Sequence, residues 1–115
     1  MWEIEYYETE NGKCPVADFL LDLPIKQRVK AIRQIDLLGE KGTQLKEPHV
    51  KHIDGQLWEL RIKFAKDIQR IFYFLAGDSK FVLLNGFIKK TKVTPPKEIK
   101  RAHKYREDYL KRSSL

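Results

Sequence analysis

Apolar and polar residues alternate at the start of the chain, with Trp2, Ile4 and Tyr6 interleaved with Glu3, Glu5 and Tyr7. A period of two puts one face of a strand against a core, and Asn11 and Gly12 end the run. After Pro15, placed as a first helical residue, Val16, Phe19, Leu20 and Leu23 fall at i, i+3, i+4 and i+7, one apolar stripe of a helix. Pro24 closes that helix and starts another. There Ile25, Val29, Ile32, Ile35 and Leu38 keep a helical period while Lys26, Arg28, Lys30 and Arg33 face outward, up to Gly39 or Gly42. The two helices read as a hairpin. From Thr43 to Gly55 no period persists, which predicts a loop with room for an extended piece at Val50 to Ile53.

Alternation returns at Trp58, Leu60, Ile62 and Phe64, interleaved with Glu59, Arg61 and Lys63. A turn at Ala65 to Asp67 leads into Ile68 to Leu75, rich in β-branched and aromatic residues, and Ala76 to Ser79 make a second turn. Phe81 to Ile88 is nearly continuous apolar sequence, as expected of a central strand buried on both faces. These three runs predict an antiparallel meander. Thr94 and Pro95 read as a helix start, with Ile99, Ala102, Arg106 and Tyr109 at helical spacing behind them. The expected fold class is α+β in the order β-α-α-β-β-β-α, an antiparallel sheet with its helices mainly on one face, one domain over 1–115.

Bulk composition narrows the setting. The 115 residues suffice for one core. The single cysteine, Cys14, excludes an internal disulfide and any CxxC motif and fits a reducing compartment. An acidic, alternating N-terminus and the lack of a long apolar run predict a cytoplasmic protein without a membrane span. The net charge of +7 favours a polyanionic partner. Its distribution says where: residues 61–112 hold 15 Lys or Arg against 5 Asp or Glu, whereas residues 1–60 are net negative.

Side chains at i and i+2 of a strand share a face, so Glu59, Arg61 and Lys63 project together, away from Leu60 and Ile62. If Ile71, Tyr73 and Leu75 meet the helices, then Arg70, Phe72 and Phe74 lie on the side of Arg61, and Lys89 or Lys90 ends the next strand there too. Such a surface is cationic and partly aromatic. Arginine's planar fork can hold two phosphate oxygens and stays charged, while a lysine crowded by cations loses its proton more readily. A cluster of cations cannot ligate a metal, because ligands must donate lone pairs, so neither a metal nor another cofactor is expected. From residue type and spacing alone, a solvated basic face and a phosphate site both remain open. His49 and His52 read as loop residues; His103, on the last helix, is either a surface residue or a catalytic one.

The strings LWELR (Leu57 to Arg61), RIFYF (Arg70 to Phe74), LLNGFIKKT (Leu83 to Thr91) and TPPKEI (Thr94 to Ile99) occur in an order and at distances that resemble the phage-derived branch of the RelE/HigB toxin superfamily. The resemblance covers nearly the whole chain and implies a RelE/ParE-like fold. It also implies the toxin of a type II toxin-antitoxin module, a ribosome-dependent mRNA endoribonuclease that inhibits translation.

By that resemblance Arg70, Lys89, Lys90 and Arg61 are the catalytic candidates. Lys63, Phe72, Lys92, Lys97, Lys100, Arg101, His103 and Lys104 would bind RNA. Asn85 stands where members often carry histidine, and no general acid is assigned. The implied partners are the ribosomal 30S A site with its mRNA and a cognate antitoxin, a helix-turn-helix DNA-binding protein that holds the toxin in a hetero-oligomer. The implied reaction needs no metal: a ribose 2′-OH attacks its own 3′-phosphate, and cations stabilise the phosphorane, each donor being worth about 3 to 4 kcal/mol. The alternative on the same fold is a growth inhibitor without nuclease activity, such as a gyrase poison or a phage host-inhibition protein.

Overall fold

In the computed structural model, which describes residues 1–89 and 93–113, the elements are β1 (Glu3–Tyr6), α1 (Pro15–Asp22), α2 (Ile25–Lys41), β2 (Val50–Asp54), β3 (Leu57–Phe64), β4 (Asp67–Ala76), β5 (Lys80–Lys89) and α3 (Pro96–Ser113). The fold is α+β, with three helices on a five-stranded sheet in the order β1-β5-β4-β3-β2. The meander β3-β4-β5 is antiparallel as the alternation predicts. Three features differ from the sequence expectation, two of them in the sheet. The sheet is mixed, because β1 pairs in parallel with β5, and the segment read mainly as loop contributes an antiparallel edge strand, β2.

The third difference concerns the layers. Leu60, Ile62, Ile71, Tyr73, Phe81 and Leu83 bury one sheet face against Val16, Leu20 and Leu23 of α1 and Ala31, Ile35 and Leu38 of α2. Leu57, Phe72, Phe74, Val82, Leu84 and Phe87 bury the other against Ala102, Ile99, Tyr105 and Tyr109 of α3. Helices therefore cover both faces, correcting the one-sided arrangement. The unbroken apolar run of β5 has its cause here: a central strand covered on both sides cannot alternate.

Local chemistry fixes the helical hairpin. Arg28, which the helical period turns outward, folds back onto the end of α1 and donates to the carbonyl oxygens of Leu20 (2.9 Å), Leu21 (3.0 Å) and Leu23 (3.2 Å). It thereby supplies donors to carbonyls at the C-terminal end of α1, of which that of Leu20 also accepts from the Leu23 N–H. Gly42, with φ of 56°, caps α2, and the Trp2 indole packs where a β-carbon would stand. Gly86 serves the same purpose in β5, since an added β-carbon would lie 2.5 Å from the Phe19 ring of α1. At the other end of the chain, the Tyr7 hydroxyl donates to Asp108 Oδ2 (2.5 Å) and its ring stacks on Tyr105 at 4.8 Å, tying α3 to the β1 edge.

Candidate phosphate-binding site

The face under α3 is covered only in part. Leu57, Phe72 and Phe74 lie beneath the helix, while the row that pairs Arg61 with Arg70 and the row that pairs Lys63 with Ile68 and Ile68 with Lys89 lie toward the β3-β4 turn. Arg61 and Arg70 are direct cross-strand neighbours, and Phe87 completes their row. One row nearer the helix, β2 sets Lys51 opposite Glu59. Arg70 and Arg61 thus stand at ion-pair distance from the Glu59 carboxylate, Lys51 is its cross-strand neighbour, and Lys89 lies two rows along the same face, within reach of the field of all four.

Burial orders this cluster. Glu59 is fully buried and Arg70 is 3% exposed. The Arg70 guanidinium donates through Nη1 to Glu59 Oε1 in a buried ion pair. Arg61 is half-buried and its Nε lies 3.9 Å from the same oxygen. Arg70 Nε and Glu59 Oε2 are buried and make no hydrogen bond among the described residues. Lys89 is half-buried. Burial, and next the Arg70 charge, hold its ammonium below the ordinary lysine pKa; Glu59 opposes this, and Lys51 and Arg61 add to the depression. The four cations outnumber the carboxylate and attract an anion, and two of them are arginines with forked donors.

The helix carries the second set. Lys97, Lys100, Arg101, His103 and Lys104 line a shallow depression of about 600 Å³ on α3. Glu98, at the start of α3, is buried; it accepts hydrogen bonds from Asn85 Nδ2 (3.3 Å) and Arg101 Nη1 (3.3 Å). That contact pins the helix N-terminus to β5 beside the cation cluster. Both basic surfaces therefore belong to the same side of the sheet.

Some predicted residues sit elsewhere. Phe72 is fully buried against Phe87, so its ring is unavailable for stacking on a base; the covering of that face by α3 is the reason. His103 Nε2 lies 2.8 Å from Asp54 Oδ2. Asp54 pairs with Leu57, four residues from the Arg61 row, roughly 13 Å along the strand, so His103 does not converge with Arg70. Lys63 is exposed at the rim. Lys90 and Lys92 lie outside the described residues. Lys51 is the cation that sequence reasoning missed, because its segment had no apolar period; a lysine two residues ahead of Ile53 and opposite an acid becomes visible only once β2 is paired.

A groove of about 610 Å³ flanks β2, where Trp58, Tyr73, Leu75 and Phe81 line it and only Lys46 and Lys51 bring cations. Its mostly apolar lining does not suit a phosphate. Among the described residues no group of three or more His, Cys, Asp or Glu is placed to hold a metal, and no helix is long and apolar enough to cross a membrane.

The family model described as "Phage derived protein Gp49-like (DUF891)" matches residues 18–107 of this chain. That span holds both helices of the hairpin from Asp18 onward, strands β2 to β5 and most of α3. No curated protein matches the chain.

Proposed function

Because the chain belongs to the phage-derived Gp49-like family, a toxin-antitoxin-associated family related to RelE-type toxins, we propose that it is the toxin of such a module and a metal-independent endoribonuclease acting on translated mRNA. We read its sheet and helices as a RelE-like fold. The observation that carries the proposal is the grouping of Lys51, Arg61, Arg70 and Lys89 on the sheet face that holds the fully buried carboxylate of Glu59.

In the proposed reaction the 2′-oxygen bonds to phosphorus as the bond from phosphorus to the 5′-oxygen breaks. One proton leaves the 2′-hydroxyl and one reaches the 5′-oxygen. The phosphate carries one negative charge before attack and two in the phosphorane, so fixed cations bind the second state more tightly, which is what catalysis requires. Arg61 supplies the guanidinium nearest solvent, and Arg70 lies behind it. Lys89, whose ammonium is held below the ordinary pKa, is the proposed base, since a larger neutral fraction at neutral pH can take the 2′ proton. The cationic face of α3 is the proposed contact with ribosomal RNA, a role in which each lysine adds to a salt-dependent attraction. A cognate antitoxin is the proposed partner that silences the site.

Inducing the chain in growing cells and mapping RNA 5′ ends tests the proposal. Cleavage within translated messages, lost with Arg61→Ala, is the expected result. Intact messages accompanied by DNA damage refute it in favour of a gyrase-directed inhibitor.

A further inference from the structure

A buried carboxylate in the middle of a site for phosphate is, by charge alone, a disadvantage. Glu59 nonetheless lies fully buried at the centre of the cation cluster, joined to Arg70 and 3.9 Å from Arg61 Nε. Phe72 stands beside it in the pairing register on β4, and Lys51 stands opposite on β2. Its Oε1 accepts from Arg70 Nη1 and lies at ion-pair distance from Arg61 Nε, so one oxygen anchors the first guanidinium and attracts the second. We propose that Glu59 is a positioning residue, a buried counter-ion that anchors Arg70, with Arg61 drawn beside it, in the orientation that receives the phosphorane.

Two consequences separate this role from ordinary packing. An arginine side chain has several rotatable bonds, and anchoring one Nη atom leaves the remaining N–H groups directed without entropy loss at the moment of reaction. Removing the anchor therefore weakens transition-state stabilisation. Removing its negative charge simultaneously makes the site more attractive to a phosphate in the ground state. Glu59 is thus expected to raise kcat while it opposes substrate binding, a split that a purely structural carboxylate does not produce. Lys89 reports the same change independently, because Glu59 is the group that opposes the cations around it. The charged groups facing Lys89 are Lys51 from β2, Glu59 and Arg61 from β3, and Arg70 from β4.

The inference rests on the nuclease reading, and its test has one arm that does not. Glu59→Gln keeps an oxygen for Arg70 Nη1 and removes the charge. In single-turnover cleavage of ribosome-bound mRNA, kcat is expected to fall tenfold to a hundredfold while KM stays level or drops. Glu59→Asp, which keeps the charge on a shorter arm, is expected to fall between Gln and wild type. In the resting protein, NMR is expected to show the Arg70 Nε–H signal sharp in wild type and broadened by exchange in Glu59→Gln, and Lys89 titrating at lower pH in the variant. A folded Glu59→Gln with wild-type kcat, or one whose loss lies wholly in a raised KM, overturns the proposal. If the wild-type chain cleaves no RNA, the nuclease reading has failed, and an unaltered Arg70 signal then overturns the positioning role as well. Should Glu59→Gln not fold, Glu59→Asp decides: wild-type kcat together with an unaltered Arg70 signal overturns the proposal.

Discussion

Replacing Arg70 changes two quantities, and the structure says how to separate them. The side chain is 3% exposed and its partner Glu59 is fully buried, so Arg70→Met leaves a carboxylate in the interior without its closest cation. Breaking one side of a buried pair costs about 3 to 5 kcal/mol. Domains of this size have about 5 to 15 kcal/mol in total, so the variant keeps only part of its stability. The expected fall in Tm is on the order of 10 to 25 °C. An assay of the variant in cells alone would therefore mix lost stability with lost chemistry.

The control is the double variant Arg70→Met with Glu59→Leu, which removes both charges and fills the space with apolar atoms. Such replacements are often neutral, so at least half of the lost stability should return in urea unfolding monitored by circular dichroism. Cleavage should not return: loss of a charge-stabilising donor is worth about a hundredfold or more. If Arg70→Met alone lowers stability by less than about 1 kcal/mol, the buried ion pair does not exist as described. If the refolded double variant cleaves like wild type, Arg70 has no part in the chemistry.

Arg61→Ala, which removes a half-buried guanidinium, should cost under about 1 kcal/mol of stability in the same unfolding assay yet lower cleavage at least tenfold; equal losses in both readouts count against it. Lys89→Met should abolish cleavage while raising Tm at neutral pH. The folded state holds the Lys89 proton more weakly than the unfolded chain does, so this residue's penalty is fully present below its folded pKa. It is relieved as pH rises toward the unfolded value of about 10.4, and the Tm difference between wild type and variant should shrink over that window. Gly86→Ala should drive the Phe19 ring off β5 and cost about 1 to 3 kcal/mol; an unchanged unfolding midpoint contradicts the close packing of α1. Tyr7→Phe removes the hydrogen bond that is the main cause holding the Asp108 carboxyl below its usual range. The Asp108 side-chain resonance should then titrate at higher pH, and the acid limb of stability, lost as pH falls through the folded Asp108 pKa, should move up with it.

Which of these features the amino-acid pattern reveals depends on whether a residue's environment is set within its own element. The alternation of Leu60 and Ile62 against Glu59 and Arg61 assigns faces within one strand, and the same logic in β4 places Arg70 beside Arg61, as the register has it. Pairing between distant segments leaves a weaker trace. Strand β2 has one fully inward apolar residue, Val50, and polar side chains at Lys51, His52 and Asp54, which suits an edge strand and looks like a loop. That hid Lys51.

The expectation of helices mainly on one face fails for α3, although the sequence holds one signal against it. The unbroken run from Phe81 to Leu84 requires cover on both faces, which is incompatible with helices on one side only. Taking that requirement at full weight moves α3 across the sheet, buries Phe72 and confines the cationic surface to the end of the meander. Glu59 is the instructive case, because its alternation places it among the cations, and hydropathy then predicts an exposed acid. Only the pairing of the strands shows that the acid is enclosed by the charges whose surface it shares, with Arg70 joined to it in a buried ion pair and Arg61 Nε 3.9 Å away.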